Sequence, residues 1–313
     1  MLIFLTGKDE IESMTRQIRT IAKSNELRMQ PQLKVFPLYS TLSQKQQADV
    51  FLDLGIGQRK VIVATNIAET SITISGIKYV IDTGVVKVRN FDPMTRMESL
   101  KVAKISQAQA WQRTGRAGRE SEGTCYRTYT ENEYDSWDKM TKPEILLCNL
   151  SNAIIQLLAL GINVQDFDFI DAPPPQSMEA AFKDLKSLGA LKNIQSPQLT
   201  ELGRRMAKFP LDPVYSKIIL SAPKYECLNE ILDLVSVLSS ESVFCDSIDK
   251  KDVALAQHAK LQSKYGDHLT LLNVFRLYQK QERQKVKILS KSIEFMIIIL
   301  KSLSLDLVYR ILP

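Results

Sequence analysis

Apolar and polar positions follow two different rhythms along the chain. In the first, Leu2-Ile-Phe-Leu-Thr6 is a short apolar run of strand type. Gly7 to Lys23 follows with Ile11, Met14, Ile18 and Ile21 at spacings of 3, 4 and 3, one face of a helix. Lys34-Val-Phe-Pro-Leu38 is the next strand. Ser43 predicts the start of a helix running through Phe51 and Leu54, closed by Gly55 and Gly57. Lys60-Val-Ile-Val-Ala64 and Lys78-Tyr-Val-Ile-Asp82 are two further strands of buried type. Alternation of this kind predicts an α/β domain, a parallel sheet with helices on both faces.

After Lys142-Pro143 the strands give way to helices. Asn149 to Leu160 is apolar on nearly every side, and Pro173-Pro-Pro175 breaks the chain before a helix carrying Met178, Phe182, Leu185 and Leu188. Ser177 is its expected N-cap and Gly189 its stop. Thr200 opens a short helix, Pro210 and Pro213 mark a boundary, and from Val214 onward the pattern is helical, at Ile218/Ile219, Ile231 to Leu238 and Leu269 to Tyr278.

Composition narrows the field. With 313 residues the chain has room for two or three domains, and 44% hydrophobic content excludes a disordered chain. Lys and Arg total 41 against 35 acids, a net charge of +6 that leans toward a polyanionic partner. Cys125, Cys148, Cys227 and Cys245 form no C-x-x-C pair, and His258 and His268 have no neighbouring ligand set, so no metal site is expected and the thiols read as reduced. The apolar stretch Phe295 to Leu300 is interrupted on either side by Lys291, Glu294, Lys301 and Asp306, too short for a membrane span.

Two segments carry candidate chemistry. In Gln112-Arg-Thr-Gly-Arg-Ala-Gly-Arg119, arginines 113, 116 and 119 would stack on one helical face, and such a trio repels itself unless an anion sits among it. Gly115 and Gly118 weaken a helix interior by about 1 kcal/mol each, which a merely solvated basic face has no need to bear. In Val61-Ile-Val-Ala-Thr-Asn-Ile-Ala-Glu-Thr-Ser-Ile-Thr73 a buried strand runs into a polar cluster at its C-terminal end, where ligands of open parallel sheets bind. Hydroxyls, an amide and turn N–H groups suit a sugar-phosphate backbone. An ordinary strand-to-helix cap is the alternative.

Together with Leu2-Ile-Phe-Leu-Thr-Gly-Lys-Asp-Glu-Ile11, Pro37-Leu-Tyr-Ser-Thr-Leu42 and Ile81-Asp-Thr-Gly84, these segments stand in the order of motifs IV, V and VI of superfamily 2 helicases, and the wording resembles the DEAH-box/RHA class of RNA helicases. The resemblance continues through Lys142-Pro-Glu-Ile145, Phe167-Asp-Phe169, Phe209-Pro-Leu-Asp-Pro213 and Gly266-Asp-His-Leu-Thr-Leu-Leu-Asn273. It implies a RecA-like second helicase lobe with a β-hairpin over residues 1–134, an α-rich winged-helix domain over 135–212 and a helical ratchet domain over 213–313. The residues from Val286 to Pro313 match no part of the class.

The resemblance also assigns roles. Arg116 and Arg119 match arginine fingers on the γ-phosphate of ATP, Gln112 a glutamine near the attacking water, Phe51 an aromatic against adenine (or else a core phenylalanine), and Ser75 a ribose-contacting position where relatives carry aspartate. Thr65 and Asn66 match RNA-phosphate positions. Val85 to Val102 resembles the hairpin, its turn near Asn90-Phe-Asp-Pro93, with Lys87 and Arg89 steering a strand or simply guarding an edge. His268 either touches RNA or is structural. The implied cofactors are ATP and Mg²⁺, the implied partners single-stranded RNA and a G-patch-type activator. A monomer is the default, and a nuclear or nucleolar location is implied, with a cytoplasmic one left open.

No G-x-x-x-x-G-K-[ST] and no Asp-Glu-Ala-His occurs among the 313 residues. Gly7-Lys8 lacks the upstream glycine. The phosphate-gripping lysine and the Mg²⁺-holding acid are therefore expected in a first lobe outside this sequence, the chain is expected to be a partial gene model or fragment, and it is expected to be inactive alone. The alternative is a non-catalytic RNA- or partner-binding module.

Overall fold

The computed structural model describes residues 1–23, 32–239 and 258–282. Cys245, the 286–313 tail and the Phe295–Leu300 stretch lie outside them. The chain divides into two compact units, residues 1–148 and 149 onward.

The first unit is built on a five-stranded parallel sheet of β1 (Leu2–Phe4), β2 (Gln32–Leu38), β3 (Gln58–Ala64), β4 (Tyr79–Asp82) and β7 (Thr124–Arg127), in the order β2-β3-β1-β4-β7. Side chains alternate across a strand, and the registers Leu2↔Ile62 and Phe4↔Ala64 sort the sheet into two apolar layers. Leu2, Phe4, Leu38, Ile62, Ala64 and Val80 pack on one face with Val50, Ala68, Ile74, Ile77 and Ala117. Ile3, Val35, Val61 and Val63 pack on the other with Ile11, Met14 and Ile18 of α1 (Lys8–Lys23). Asp9 and Glu10 in the first turn of α1 suit its positive end. Glu10 also reaches back to accept from the Thr6 amide (3.1 Å) and hydroxyl (2.7 Å), so the β1–α1 turn is closed by its own residues.

Three sequence expectations are corrected here. The helix from Ser43 is short: α2 covers Gln44–Ala48 behind a Ser43/Gln46 capping box, and a 3-10 turn, Asp49–Phe51, replaces its continuation to Leu54. Val50 is drawn into the core, and Lys60 caps its carbonyl at 2.8 Å. The hairpin is present as β5 (Val85–Asp92) and β6 (Met97–Lys104), but Asn90 to Asp92 are strand, and the reversal falls on Pro93 to Arg96. There the Asp92 carboxylate accepts from the Met94 and Thr95 amides, and Arg96 takes a φ of 58°. The third concerns β7, which the sequence reading missed.

The first unit extends to Cys148, past the boundary expected at residue 134. Trp137 closes a small core with Val86, Ile105 and Ala110, the last from α3 (Gln107–Thr114). The Gln107 and Ala108 amides donate to the carbonyls of Asp138 (2.9 Å) and Lys139 (3.0 Å). The 135–212 segment thus spans both units.

The second unit is helical: α5 (Ser151–Ala159), α6 (Pro175–Ser187), α7 (Glu201–Met206), α8 (Pro213–Ser221), α9 (Leu228–Leu238) and a helix over Asp267–Glu282, α4 (Glu131–Asp135) belonging to the first unit. The α6 helix starts at Pro175, so Ser177 lies inside it rather than capping it. A single antiparallel bridge, Leu191↔Leu199, joins α6 to α7, and Gly203 lets α7 approach so closely that a Cβ there would lie 2.2 Å from the Ala190 carbonyl oxygen. Phe209, Ile219, Leu232 and Val235 form the core of α8 and α9.

Candidate functional site

Parallel strands deliver their C-terminal ends to one edge of the sheet. After β3 this edge carries Thr65, in extended conformation, and the 3-10 turn Asn66–Ala68 closed by Glu69. After β4 it carries Thr83, whose hydroxyl donates to the Phe4 carbonyl at 2.9 Å. The segment following α3 lies along the 65–77 loop. Arg119 donates from Nη1 to the Thr73 hydroxyl at 2.7 Å, and the Gly76 amide donates to the Glu120 carboxylate at 2.9 Å. Ala117 is buried in the same cluster as Ala68, Ile74 and Ile77.

The three arginines do not share a helical face. The α3 helix ends at Thr114 with Gly115 as its C-cap, so neither Gly115 nor Gly118 is interior to a helix. Each arginine therefore meets a different environment. Arg113 is fully buried: Nε donates to Glu69 at 3.0 Å, Nη1 to Asp82 at 2.8 Å and Nη2 to the Val85 carbonyl at 3.1 Å, and the Phe4 ring lies 4.7 Å from the guanidinium carbon. Asp82 also accepts from the Gly84 amide (3.0 Å) and from the Tyr129 hydroxyl (2.8 Å). Burial first, and then Asp82, hold the Tyr129 phenol well above its ordinary pKa.

Arg116 is half-buried, and its Nε and Nη1 are shielded from solvent without any hydrogen-bond partner. A desolvated guanidinium with unmatched donors is costly unless an anion joins it. Burial, then the neighbouring charge of Arg119, push its pKa down, and Glu69 opposes them. Arg119 and Gln112 are exposed.

Three of the candidates assigned to ATP are chain neighbours of residues in one apolar cluster. Phe51 follows Val50, Ser75 follows Ile74 and Arg116 precedes Ala117, and Val50, Ile74 and Ala117 all belong to one buried cluster. Phe51 is 50% exposed, which removes the core-phenylalanine reading. Ser75 is exposed.

The candidates assigned to RNA are less united. Thr65 is half-buried and Asn66 exposed at the end of β3, adjacent to β1 through the Leu5–Ala64 bond of 2.8 Å. Lys87, from β5, lays its side chain over the turn after β1, its Nζ 2.7 Å from where a Gly7 Cβ would stand. Arg89 is exposed farther along the hairpin, and His268 is exposed on the Asp267–Glu282 helix in the second unit. An open concavity of about 450 Å³ lined by Leu5, Asp9, Glu10, Ser13, Met14 and Gln17 is acidic, hence unsuited to a phosphate. Among the described residues no group of His, Cys, Asp and Glu is arranged to hold a metal, and no helix is long and apolar enough to cross a membrane.

Sequence reasoning missed the buried centre of this edge. Glu69, Asp82 and Arg113 are far apart in the chain, and only the strand order brings them together.

Comparison with known proteins places these features. Residues 1–121 match the helicase conserved C-terminal domain, 181–211 the winged-helix helicase associated domain (HA2) and 212–271 the ratchet-like one. The chain is 51% identical over 286 residues to the ATP-dependent RNA helicase DHX33 of Drosophila melanogaster, covering 91% of this chain and 41% of that protein. The human DHX33 is 48% identical over 281 residues, covering 89% and 40%. The pre-mRNA-splicing factor ATP-dependent RNA helicase DEAH10 of Arabidopsis thaliana is 47% identical over 282 residues, covering 88% and 38%. The chain thus spans about two fifths of the length of these relatives. Among solved structures, the E. coli DExH-box NTPase HrpB aligns over 96% of this chain and 34% of its own, with a TM-score of 0.68 and 28% identity.

Proposed function

The chain belongs to the DEAH-box RNA helicases, whose C-terminal part it matches, and we propose that it supplies one half of an ATP site together with part of an RNA track. The observation that carries this reading is Arg116: two buried, unmatched N–H donors beside the 65–77 loop. Phosphoryl oxygens are the fitting partner, because charge-assisted bonds from a fixed guanidinium are strong and planar.

In this reading Arg116 and Arg119 hold the terminal phosphates, Gln112 stands beside them on α3, and Phe51 and Ser75 meet the base and ribose. Bound ATP supplies the phosphoryl group that is transferred to water. The arginines supply positive charge where negative charge accumulates, an effect worth about 10³–10⁵ in rate. Asp82 and Glu69 are taken up by Arg113, and the acid that would hold Mg²⁺ is assigned to the other half of the ATP site. Thr65 and Asn66 contact RNA phosphates without reading sequence, and Lys87, lying over Gly7, extends the positive track. A G-patch-type activator, a monomeric state and a nuclear location are part of the same proposal.

Steady-state phosphate release tests the split site. No P-loop motif occurs in the 313 residues, so this polypeptide alone is expected to show no turnover, with or without RNA. Robust turnover by it alone would overturn the reading.

A further inference from the structure

One buried guanidinium at this edge is not used by the chemistry proposed above. Arg113 spends three donors on three acceptors contributed by separate parts of the chain: Glu69 after β3, Asp82 at the end of β4 and the Val85 carbonyl opening β5. Stability alone does not call for this, since buried ion pairs are often replaceable by apolar residues at no loss. A planar fork fixed on three partners does set direction, which a lysine, a point charge on a flexible stem, cannot do.

The direction links two functional segments. Glu69 closes the turn that begins at Thr65, its amide donating to the Asn66 carbonyl at 2.9 Å. Arg113 stands in the last turn of α3, and its own carbonyl accepts from the Arg116 amide at 3.1 Å. The Glu69 carboxylate that pairs with Arg113 also acts electrostatically on Arg116, opposing Arg119. Glu69, at the end of the Thr65 turn, thus pairs directly with Arg113, and Ala68 of that turn shares an apolar cluster with Ala117, next to Arg116.

We propose that Arg113 is a positioning residue that couples the Thr65–Glu69 turn to the Arg116 segment, so that a single-stranded RNA phosphate seated at the turn changes the setting of Arg116. The inference rests on the RNA track proposed above and adds the route by which RNA is sensed at the arginines.

Amide hydrogen exchange of the whole chain, with and without a single-stranded RNA oligonucleotide, tests it. In the wild type, RNA slows exchange at 65–69 and also, by about fivefold or more, at 115–120, the lower end of measured couplings. Arg113→Lys keeps the slowing at 65–69 and loses it at 115–120. Slowing at both segments in Arg113→Lys, or at 65–69 alone in the wild type, overturns the inference. No slowing anywhere in the wild type removes the RNA track and the coupling with it. Should Arg113→Lys fail to fold, Glu69→Gln, which keeps the acceptor's shape without its charge, is expected to weaken the transfer to 115–120 at least twofold (about 0.4 kcal/mol). Unchanged transfer in that variant would equally overturn the coupling.

Discussion

Replacing Arg113 with methionine takes a cation from a place where two carboxylates face it and solvent does not. The side chains of Arg113 and Asp82 are 0% exposed and that of Glu69 is 4% exposed. Neither acid can then recover its charge stabilisation from water, and breaking a buried pair from one side costs about 3–5 kcal/mol. The Val85 carbonyl and the Phe4 ring lose a partner as well, though their costs overlap with the first and do not add. A net loss of about 4 kcal/mol corresponds to a fall of roughly 8–16 °C in the melting temperature of a domain of this size. Urea unfolding followed by circular dichroism, with calorimetry alongside, reads both quantities. Adding Glu69→Gln and Asp82→Asn to Arg113→Met should restore at least about 1 kcal/mol, because the uncompensated charges are then gone. A loss below about 1 kcal/mol from the single variant, or no recovery in the triple one, would refute the view that this network organises the edge.

Other outcomes follow from neighbouring contacts. Gly84→Ala places a Cβ 2.6 Å from the Tyr129 ring and 2.7 Å from Trp137 at a φ of +74°, and should cost about 2–4 kcal/mol in thermal or urea unfolding. Gly203→Ala meets the Ala190 carbonyl oxygen at 2.2 Å, a backbone group that cannot rotate away, and should cost about 1–3 kcal/mol in the same measurement. The raised Tyr129 pKa means the folded state holds the phenol neutral, so its contribution is complete below the unfolded pKa of 10.0 and fades as pH rises above it. Melting curves across that range should show wild type losing stability more steeply than Tyr129→Phe.

What the sequence could and could not disclose follows from the range of each signal. The α1 helix and strands β1 to β4 were readable because their apolar spacing is local and residues it marks, such as Ile11, Val35, Ile62 and Val80, enter the two apolar layers of the sheet. The β7 strand was not, because an edge strand of four residues with only Cys125 half-buried carries no buried run. The helix at Ser43 was overextended because Phe51 and Leu54 look like a continuing apolar face, yet Phe51 is exposed and Leu54 only half-buried. At the site, spacing alone put Arg113, Arg116 and Arg119 in one row. The helix stops between the first and second, Arg113 is sealed in the core, Arg116 is half-buried with unmatched donors, and Arg119 bonds Thr73 in the 65–77 loop. The partners of Arg113 on β4 and after β3 depended on strand order, which spacing does not carry.

Single-stranded RNA affinity, measured by fluorescence anisotropy over a series of salt concentrations, bears most directly on the division of labour along this edge. Thr65→Ala should weaken binding about tenfold or more, the worth of a hydrogen bond to a charged group, and wild-type affinity should fall steeply as salt rises. Arg116→Ala should leave affinity within about twofold, since that arginine is assigned to a nucleotide and not to RNA. Equal loss from both variants, or tight wild-type binding indifferent to salt and to Thr65, would contradict the assignment.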